Sequence, residues 1–191
     1  MQAMTWYDHE TDSIWSQPTG RAIDGELLGT ELFLLLVQLT TWGTWRAEHP
    51  ETLVMTNDLD HFARFRYRAK FQPDFVIGVV WAGQAKAYRY ADVLAVGGII
   101  NDMLGDVPVL IWAENENFHT YMRRLDGRTL TFHLENGELI DEETGSTWDI
   151  MRGLATAGPL QGAVLPLLPN LTAFEDHWWD FYPDSTLYAP K

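Results

Sequence analysis

Cysteine is absent from the 191 residues of this sequence. Its absence excludes disulfide frameworks, thiolate zinc sites, iron–sulfur clusters and cysteine nucleophiles together. Long apolar runs are also absent: the longest, Leu32–Val37, stops at Gln38, whereas a membrane-spanning helix needs about 18 apolar residues. Residues 1–8 lack the basic head and apolar stretch of a secretory signal. We therefore expect a globular chain without membrane insertion.

Positive charge is scarce in this chain. There are 13 Lys and Arg residues against 27 Asp and Glu residues, which gives a formal net charge of −14. A negative field of this size repels nucleic acid and anionic lipid, so we expect neither as a partner. A chain of this length can bury enough apolar surface to fold as one domain without a metal or disulfide.

An internal repeat is the most informative feature that is present. A shift of 133 places Asp8–Trp15 on Asp141–Trp148, and the match continues without a gap to Pro50 and Pro183. The two segments share 15 identities over 43 positions. The sequence therefore predicts a single compact domain, 1–191, with copies at about 4–55 and 137–188 joined by a β-rich middle segment, about 74–134.

Each copy is expected to contain a turn, a strand, a helix and a closing strand. In the turn Asp141–Ser146, Gly145 supplies a positive φ, which Asp12 supplies in the first copy. The other elements, first copy before second, are apolar strands (Glu31–Leu39; Ala163–Leu168), tryptophan-rich helices (Thr40–His49; Thr172–Tyr182) and closing strands (Thr52–Met55; Ser185–Tyr188). The expected N-caps and stops are Thr40 or Thr41 with Pro50, and Thr172 with Pro183.

The middle segment reads as strands with one short helix. Turn residues and alternation predict these elements: a hairpin of Asp74–Trp81 with Ala85–Tyr90, a helix Ala91–Val96, a buried strand Val107–Ala113, and a hairpin of Phe118–Arg123 with Thr129–Leu134 about Asp126-Gly127. The predicted fold class is mainly β, or α+β with few short helices. We expect internally duplicated β-hairpin units in a compact, pseudo-two-fold arrangement.

Short motifs, several of which contain tryptophan, glycine or proline, extend along nearly the whole chain. They are Tyr7–Gln17, Thr19–Ala22, Thr41–Thr52, Ala85–Tyr88, Ile100–Asp102, Val107–Val109, Asp141–Trp148 and Gly158–Gly162. Together they resemble the bacterial and archaeal family called domain of unknown function 3179. The resemblance implies an internally duplicated protein, commonly exported, with no established activity.

The sequence departs from the family pattern in two ways. Family members usually carry a complete first unit before the segment that here begins at Tyr7. That unit typically has a His-Glu pair and a Cys-Pro-Leu-Cys motif, whose corresponding positions here are Gly97, Gly98, Glu114 and Asn117. No metal or redox role based on those residues is expected. The other half of the first unit is expected to be compensated by a second copy, another subunit or an altered fold.

Two acidic pairs are the candidates for catalysis: Asp8 with Glu10, and Asp141 with Glu143. Residues two apart on a strand share a face, so each pair could supply acid/base carboxylates or calcium ligands. Both aspartates also occupy turn positions, where Asp caps backbone amides, and we favour this structural interpretation. The six histidines show no metal-ligand spacing, so we expect no metal and no cofactor.

The segment Ala63–Phe71 alternates strictly between basic and mostly aromatic residues. As a strand it would place four basic side chains on one face: Arg64, Arg66, Arg68 and Lys70. Such a face could dock an anionic ligand or an acidic partner. It could equally be a charged edge that blocks aggregation, or could pair internally with the acidic C-terminal half.

The sequence contains nine tryptophans, which suggest either a sugar-binding platform or core packing. Two pairs recur at matched positions, Trp15 with Trp148 and Trp45 with Trp178. Recurrence favours core packing for these four indoles. Trp42 and Trp179 are better candidates for exposed contact, because their repeat counterparts are charged.

The functional prediction is a non-catalytic binding module or a subunit of a larger assembly, acting through a protein partner or self-association. The alternative is a hydrolase that uses the Asp and Glu residues near the repeat turns. Titratable groups gathered in one deep pocket would favour the enzyme, whereas turns scattered over the surface would favour the module.

Overall fold

The computed structural model describes residues 4–37, 40–54 and 75–190, and over these residues the protein is mainly β. The strands are β1 (Thr5–Tyr7), β2 (Ile14–Ser16), β3 (Ala22–Asp24), β4 (Phe75–Trp81), β5 (Gln84–Arg89), β6 (Ile99–Leu104), β7 (Val107–Glu114), β8 (Asn117–Met122), β9 (Arg124–Leu125), β10 (Arg128–Thr129), β11 (Phe132–Glu135), β12 (Glu138–Asp141), β13 (Thr147–Asp149), β14 (Leu154–Ala157), β15 (Asn170–Phe174) and β16 (Thr186–Leu187). The short helices are α1 (Trp42–Glu48), α2 (Tyr90–Ala95) and α3 (Glu175–Phe181).

The β4–β5 hairpin forms the centre of a four-stranded sheet with the order β15-β4-β5-β16. Its two-residue turn, Ala82 and Gly83, has positive φ at both positions (50° and 77°), which is the geometry that suits the twist of a tight hairpin. Strand β15 pairs antiparallel with β4, and β16 pairs parallel with β5. The second copy therefore supplies both outer strands of this sheet.

Strand β7 lies in the middle of a three-stranded sheet, β6-β7-β8, and contributes to two cores. On one face, Val109 and Ile111 pack in a core that contains Tyr88 of β5. On the other face, Leu110 packs in a core that contains Trp148 of the second copy. This division follows from the alternation of side chains along a strand, and it places the second copy directly against the middle segment.

Each copy forms a small antiparallel sheet: β1-β2-β3 in the first and β11-β12-β13-β14 in the second. Strands β2 and β13 both show a register shift where they meet the next strand. The first hairpin of the middle segment, helix α2 and buried strand β7 confirm the sequence prediction to within one or two residues.

The apolar segments expected to be strands are not strands. Residues 31–37 form one isolated bridge, Arg21 with Glu31, and residues 163–168 form the bridges Leu154 with Val164 and Tyr121 with Leu167. In the second copy Pro166 lacks the backbone N–H that a continuing ladder requires. Residues 38 and 39 lie outside the described residues.

Three other boundaries also differ from expectation. Thr172 is not an N-cap, because it lies in β15 opposite Ile77; α3 begins at Glu175, where two acidic residues in its first turn suit the helix dipole. Asp126-Gly127 forms a turn, but it joins only β9 and β10, while β8 pairs with β7 and β11 with β12. The first-copy closing strand is missing, since residues 52–54 lie in no strand and Met55 is outside the described residues.

Candidate functional site

The same side chains hold the turn after β1 and the turn after β12. Asp8 accepts hydrogen bonds from Trp15 Nε1 (2.8 Å) and from the backbone N–H of Thr11 (2.7 Å). Asp141 accepts equivalent bonds from Trp148 Nε1 (2.9 Å) and from the backbone N–H three residues later (2.6 Å). The bond from Trp15, together with that from Thr11, lowers the pKa of Asp8 to about 2. Both aspartates are engaged as acceptors within their own turns.

A serine and a glycine complete each turn in the same way. Ser13 and Ser146 each accept, through Oγ, a hydrogen bond of 3.0 Å from the backbone N–H fourteen residues later. Gly25 and Gly158 both have φ of 91° and lie against these serines. A Cβ at Gly25 would lie 2.5 Å from Ser13 Cα, and one at Gly158 would lie 2.7 Å from Ser146 Cα. The close approach requires glycine in both copies.

The tryptophan-rich helices also repeat their contacts. Helices α1 and α3 begin and end at equivalent residues of the two copies. In each helix the last residue is followed by the C-cap residue and then by a proline. Trp45 Nε1 donates to Thr52 Oγ1 (2.9 Å), and Trp178 Nε1 donates to Ser185 Oγ (2.7 Å). The N-cap of α1 is Thr41, as the sequence predicted.

Burial separates the two copies although their local contacts agree. Trp178 is 0% exposed and lies across Gly78 of β4, whereas Trp45 is 38% exposed. Leu168 is 0% exposed, whereas its counterpart Leu35 is 69% exposed. We give the name first-copy apolar surface to one subset of the exposed apolar residues of the first copy, namely Leu32–Val37, Trp42, Trp45, Leu53 and Val54. The packing predicted for Trp45 is therefore wrong, because no sheet like that under Trp178 covers it in the described part of the chain.

The acidic candidates lie in turns. Residues 8–13 form the turn between β1 and β2, so Asp8 and Glu10 do not share the strand face that a catalytic pair would need. Glu10 is exposed, and its backbone N–H donates to Asp8 Oδ1 (3.2 Å). Asp141 is 0% exposed at the end of β12. Glu143 is exposed, and its Oε2 accepts a hydrogen bond from the backbone N–H of Thr131 (2.7 Å).

The remaining candidates fall into two groups. The basic residues Arg64, Arg66, Arg68 and Lys70 lie outside the described residues, and their role stays a prediction. Trp42 is exposed on α1. Trp179 is half-buried, and it packs against a small core formed by Val76, Ala87 and Trp178.

His119 is a buried residue whose environment the sequence did not predict. It is 1% exposed on β8, and its ring lies between Trp112 and Tyr121 at centroid distances of 5.4 and 6.1 Å. Neither ring nitrogen has a hydrogen-bond partner among the described residues. Burial lowers the pKa of His119 to about 4, although the charge of Asp149 acts in the opposite direction. The predicted strand Phe118–Arg123 contained His119 but did not distinguish it from its neighbours.

A cleft of about 440 Å³ lies between the middle segment and the second copy. Its lining includes Gly97, Gly98 and Glu114, three of the four positions at which the family pattern has histidine, glutamate or cysteine. Trp112 and Trp148 also line it. Within residues 4–37, 40–54 and 75–190, no group of three or more His, Asp or Glu side chains is placed to hold a metal ion.

These features define a mainly β protein in which a turn and a short helix each occur twice. The serine and the tryptophan of the turn are buried in both copies, whereas the helix contains a buried tryptophan only in the second copy. A family model described as "Protein of unknown function (DUF3179)" matches residues 1–71 and again residues 64–185. The chain belongs to this family, which confirms the resemblance found in its sequence. No curated protein and no solved structure matches the chain. No helix among the described residues is long and apolar enough to cross a membrane.

Proposed function

We propose that this protein is a non-catalytic binding module that acts as a subunit of a larger assembly, with the first-copy apolar surface as its contact face. The observation that carries the proposal is the contrast between Trp45 and Trp178. Both indoles occupy equivalent positions on equivalent helices and make equivalent hydrogen bonds, but Trp178 is 0% exposed and Trp45 is 38% exposed.

The amount of exposed apolar side chain supports a contact role. Every residue from Leu32 to Val37 is exposed, with Phe33 at 85%, and Leu53 is 96% exposed. Single exposed apolar residues are ordinary on a protein surface, whereas a consecutive run with neighbouring tryptophans is typical of interaction sites. Tryptophan in particular is enriched at the centres of protein interfaces.

The charge of the chain limits the kind of partner that we propose. A net charge of −14 opposes binding to nucleic acid, so the partner is a protein or a second copy of the chain. The proposal needs neither a metal nor a cofactor. The basic segment Arg64–Lys70 remains a second proposed contact, for an acidic partner. The combined substitutions Arg64→Ser, Arg66→Ser and Arg68→Ser should abolish that contact without unfolding the protein.

The hydrolase alternative receives less support. Asp8 and Asp141 accept hydrogen bonds from a tryptophan indole and a backbone N–H of their own turns, which is the arrangement of a structural cap. The low pKa of Asp8 keeps it ionised at neutral pH, which does not suit a general acid. No specific observation favours an enzyme.

A photo-cross-linking experiment in the cells of origin tests the proposal. Trp45 and Trp81 are both 38% exposed, but only Trp45 belongs to the first-copy apolar surface. Benzoylphenylalanine in place of Trp45 should give a discrete cross-linked product, identified by mass spectrometry, and the same probe at Trp81 should not. Equal products at the two positions, or none at either, would contradict the proposal.

A further inference from the structure

The residues that pack on Trp178 indicate what kind of surface would pack on the exposed indole of Trp45. Trp178 lies directly on Gly78 of the β4–β5 hairpin, where a Cβ would be 2.0 Å from its Cζ3. Only glycine fits beneath this indole without displacing it. Strand β16 also extends the hairpin sheet by pairing in parallel with β5, with Leu187 opposite Ala87.

The first copy presents the same two elements, and no hairpin within 4–37, 40–54 and 75–190 packs on them as β4–β5 packs on α3. The indole of Trp45 is fixed by its bond to Thr52, as that of Trp178 is fixed by Ser185. Leu53 and Val54 are the counterparts of the two residues of β16, and they lie in no strand. Both are exposed, and no strand of the described residues pairs with them.

Resting on the proposed function, we propose that the first copy binds a β-hairpin of a partner protein that is built like β4–β5. A glycine of this hairpin passes beneath Trp45, and Leu53–Val54 joins its outer strand in parallel. Addition of a strand to a free edge gives main-chain hydrogen bonds, while the glycine requirement gives selectivity. The interaction thus reproduces between two chains a packing that the second copy makes within one.

One difference between the copies specifies the partner further. In the second copy, Arg89 of the hairpin donates two hydrogen bonds of 2.6 Å to Glu175. The counterpart of Glu175 is Trp42, which carries no charge. The partner hairpin therefore does not need an arginine at this position, and an apolar side chain there packs on Trp42.

A peptide of residues 75–89 is the probe for this inference. Its ends can be joined, because Val76 lies opposite Arg89, and cyclisation removes much of the entropic cost of ordering a free hairpin. The peptide carries Lys86 and Arg89 and no acidic residue, which suits a protein of net charge −14. A fluorescent label permits binding to the full chain to be followed by anisotropy.

The peptide should bind the wild-type chain, and Gly78→Val in the peptide should weaken binding at least about tenfold, because a side chain beneath the indole prevents contact. Trp45→Ala in the protein should weaken binding by a similar factor. Trp81→Ala in the protein is the matched control, since Trp81 is exposed to the same extent as Trp45 (38%) but lies outside the first-copy apolar surface, and it should leave binding within about twofold. A peptide with Arg89→Leu should bind at least as well as the parent.

Register provides a second readout. Because the chain has no cysteine, Val54→Cys in the protein and Ala87→Cys in the peptide form a unique pair, which should give a disulfide. Tyr88→Cys in the peptide, one residue out of register, should give much less.

Equal binding of the Gly78→Val peptide, or no binding of the parent peptide, would overturn the hairpin inference. If benzoylphenylalanine at Trp45 still captures a partner in that case, the contact face stands and only the hairpin is wrong. A Trp45-dependent dimer of the chain that the peptide does not displace would assign the surface to a second copy and would also overturn the inference.

Discussion

The first and second copies make the same local contacts but differ in what covers them. Each has an aspartate bound to an indole, a serine bound to a backbone N–H and a glycine against that serine. The second copy adds its helix and strands to the β4–β5 hairpin, whereas the first leaves equivalent residues exposed. The hydrogen bonds of the turn and helix therefore form in both copies, whereas full burial of the helix depends on packing against the β4–β5 hairpin.

The largest expected effect tests whether burial differs between the two helices. Trp178→Ala removes an indole that is 0% exposed and should lower the free energy of unfolding by about 3–5 kcal/mol. Trp45→Ala removes an exposed indole and should cost about 1 kcal/mol or less. Chemical denaturation followed by circular dichroism measures both. Equal losses would show that the two helices are packed alike.

The next effect concerns the aspartates of the turns. Asp141→Ala leaves the buried N–H of Trp148 without its acceptor and should cost about 2–3 kcal/mol of stability. Asp8→Ala removes the same bond from a partly exposed turn, where water can replace the carboxylate, and should cost less. Denaturation midpoints compare the two variants. A larger loss of stability for Asp8→Ala than for Asp141→Ala would contradict the idea that the more buried turn depends more on its aspartate.

Acid should destabilise the core that the second copy shares with β8. His119 has a pKa of about 4 in the folded protein against 6.5 when unperturbed, so the unfolded state binds its proton more tightly. Stability is therefore complete above about pH 6.5 and falls as the pH decreases towards 4, by at most about 3 kcal/mol. Unfolding measured across this range should show the loss.

Two variants isolate this contribution. His119→Phe should flatten the stability profile between pH 6.5 and 4, since it removes the group that resists protonation. His9→Gln, in the exposed turn of the first copy, should leave the profile unchanged. An unaltered slope in His119→Phe would assign the acid loss to other groups.

The smallest effect on stability is expected on the first-copy apolar surface. Leu53→Ser changes a side chain that is 96% exposed, and stability should stay within about 0.5 kcal/mol of wild type. The same variant should weaken binding of a partner, measured by the yield of the cross-link at Trp45. A clear loss of stability would mean that Leu53 packs within the chain.

The sequence predicted the mainly β fold class and the β4–β5 hairpin, because turn residues act over short distances. It predicted the buried strand β7 from a continuous apolar run. The strands predicted at 31–39 and 163–168 are wrong for the described residues 31–37 and 163–168, since apolar composition alone does not supply a pairing partner. Thr172 failed as an N-cap because β15 pairs with β4, a contact between residues far apart in the chain. The basic segment at 64–70 lies outside the described residues.

The candidate site was predicted only in part. Recurrence of Trp45 and Trp178 correctly marked equivalent positions, but it also suggested equal burial, which is wrong. Trp42 was expected to be exposed, and it is. No pattern marked His119. A buried histidine that has no hydrogen-bond partner in the described part of the chain has the same spacing as any other residue on an alternating strand.

The amino-acid sequence by itself determined the turns, the glycine positions and the indole hydrogen bonds, because their partners lie three to fourteen residues apart. That Trp178 is buried and Trp45 is exposed depends on the tertiary structure. The cover of Trp178 is Gly78, a distant residue brought there by strand pairing. Burial of a side chain requires packing against residues that are distant in the sequence, and a local sequence pattern does not specify that packing.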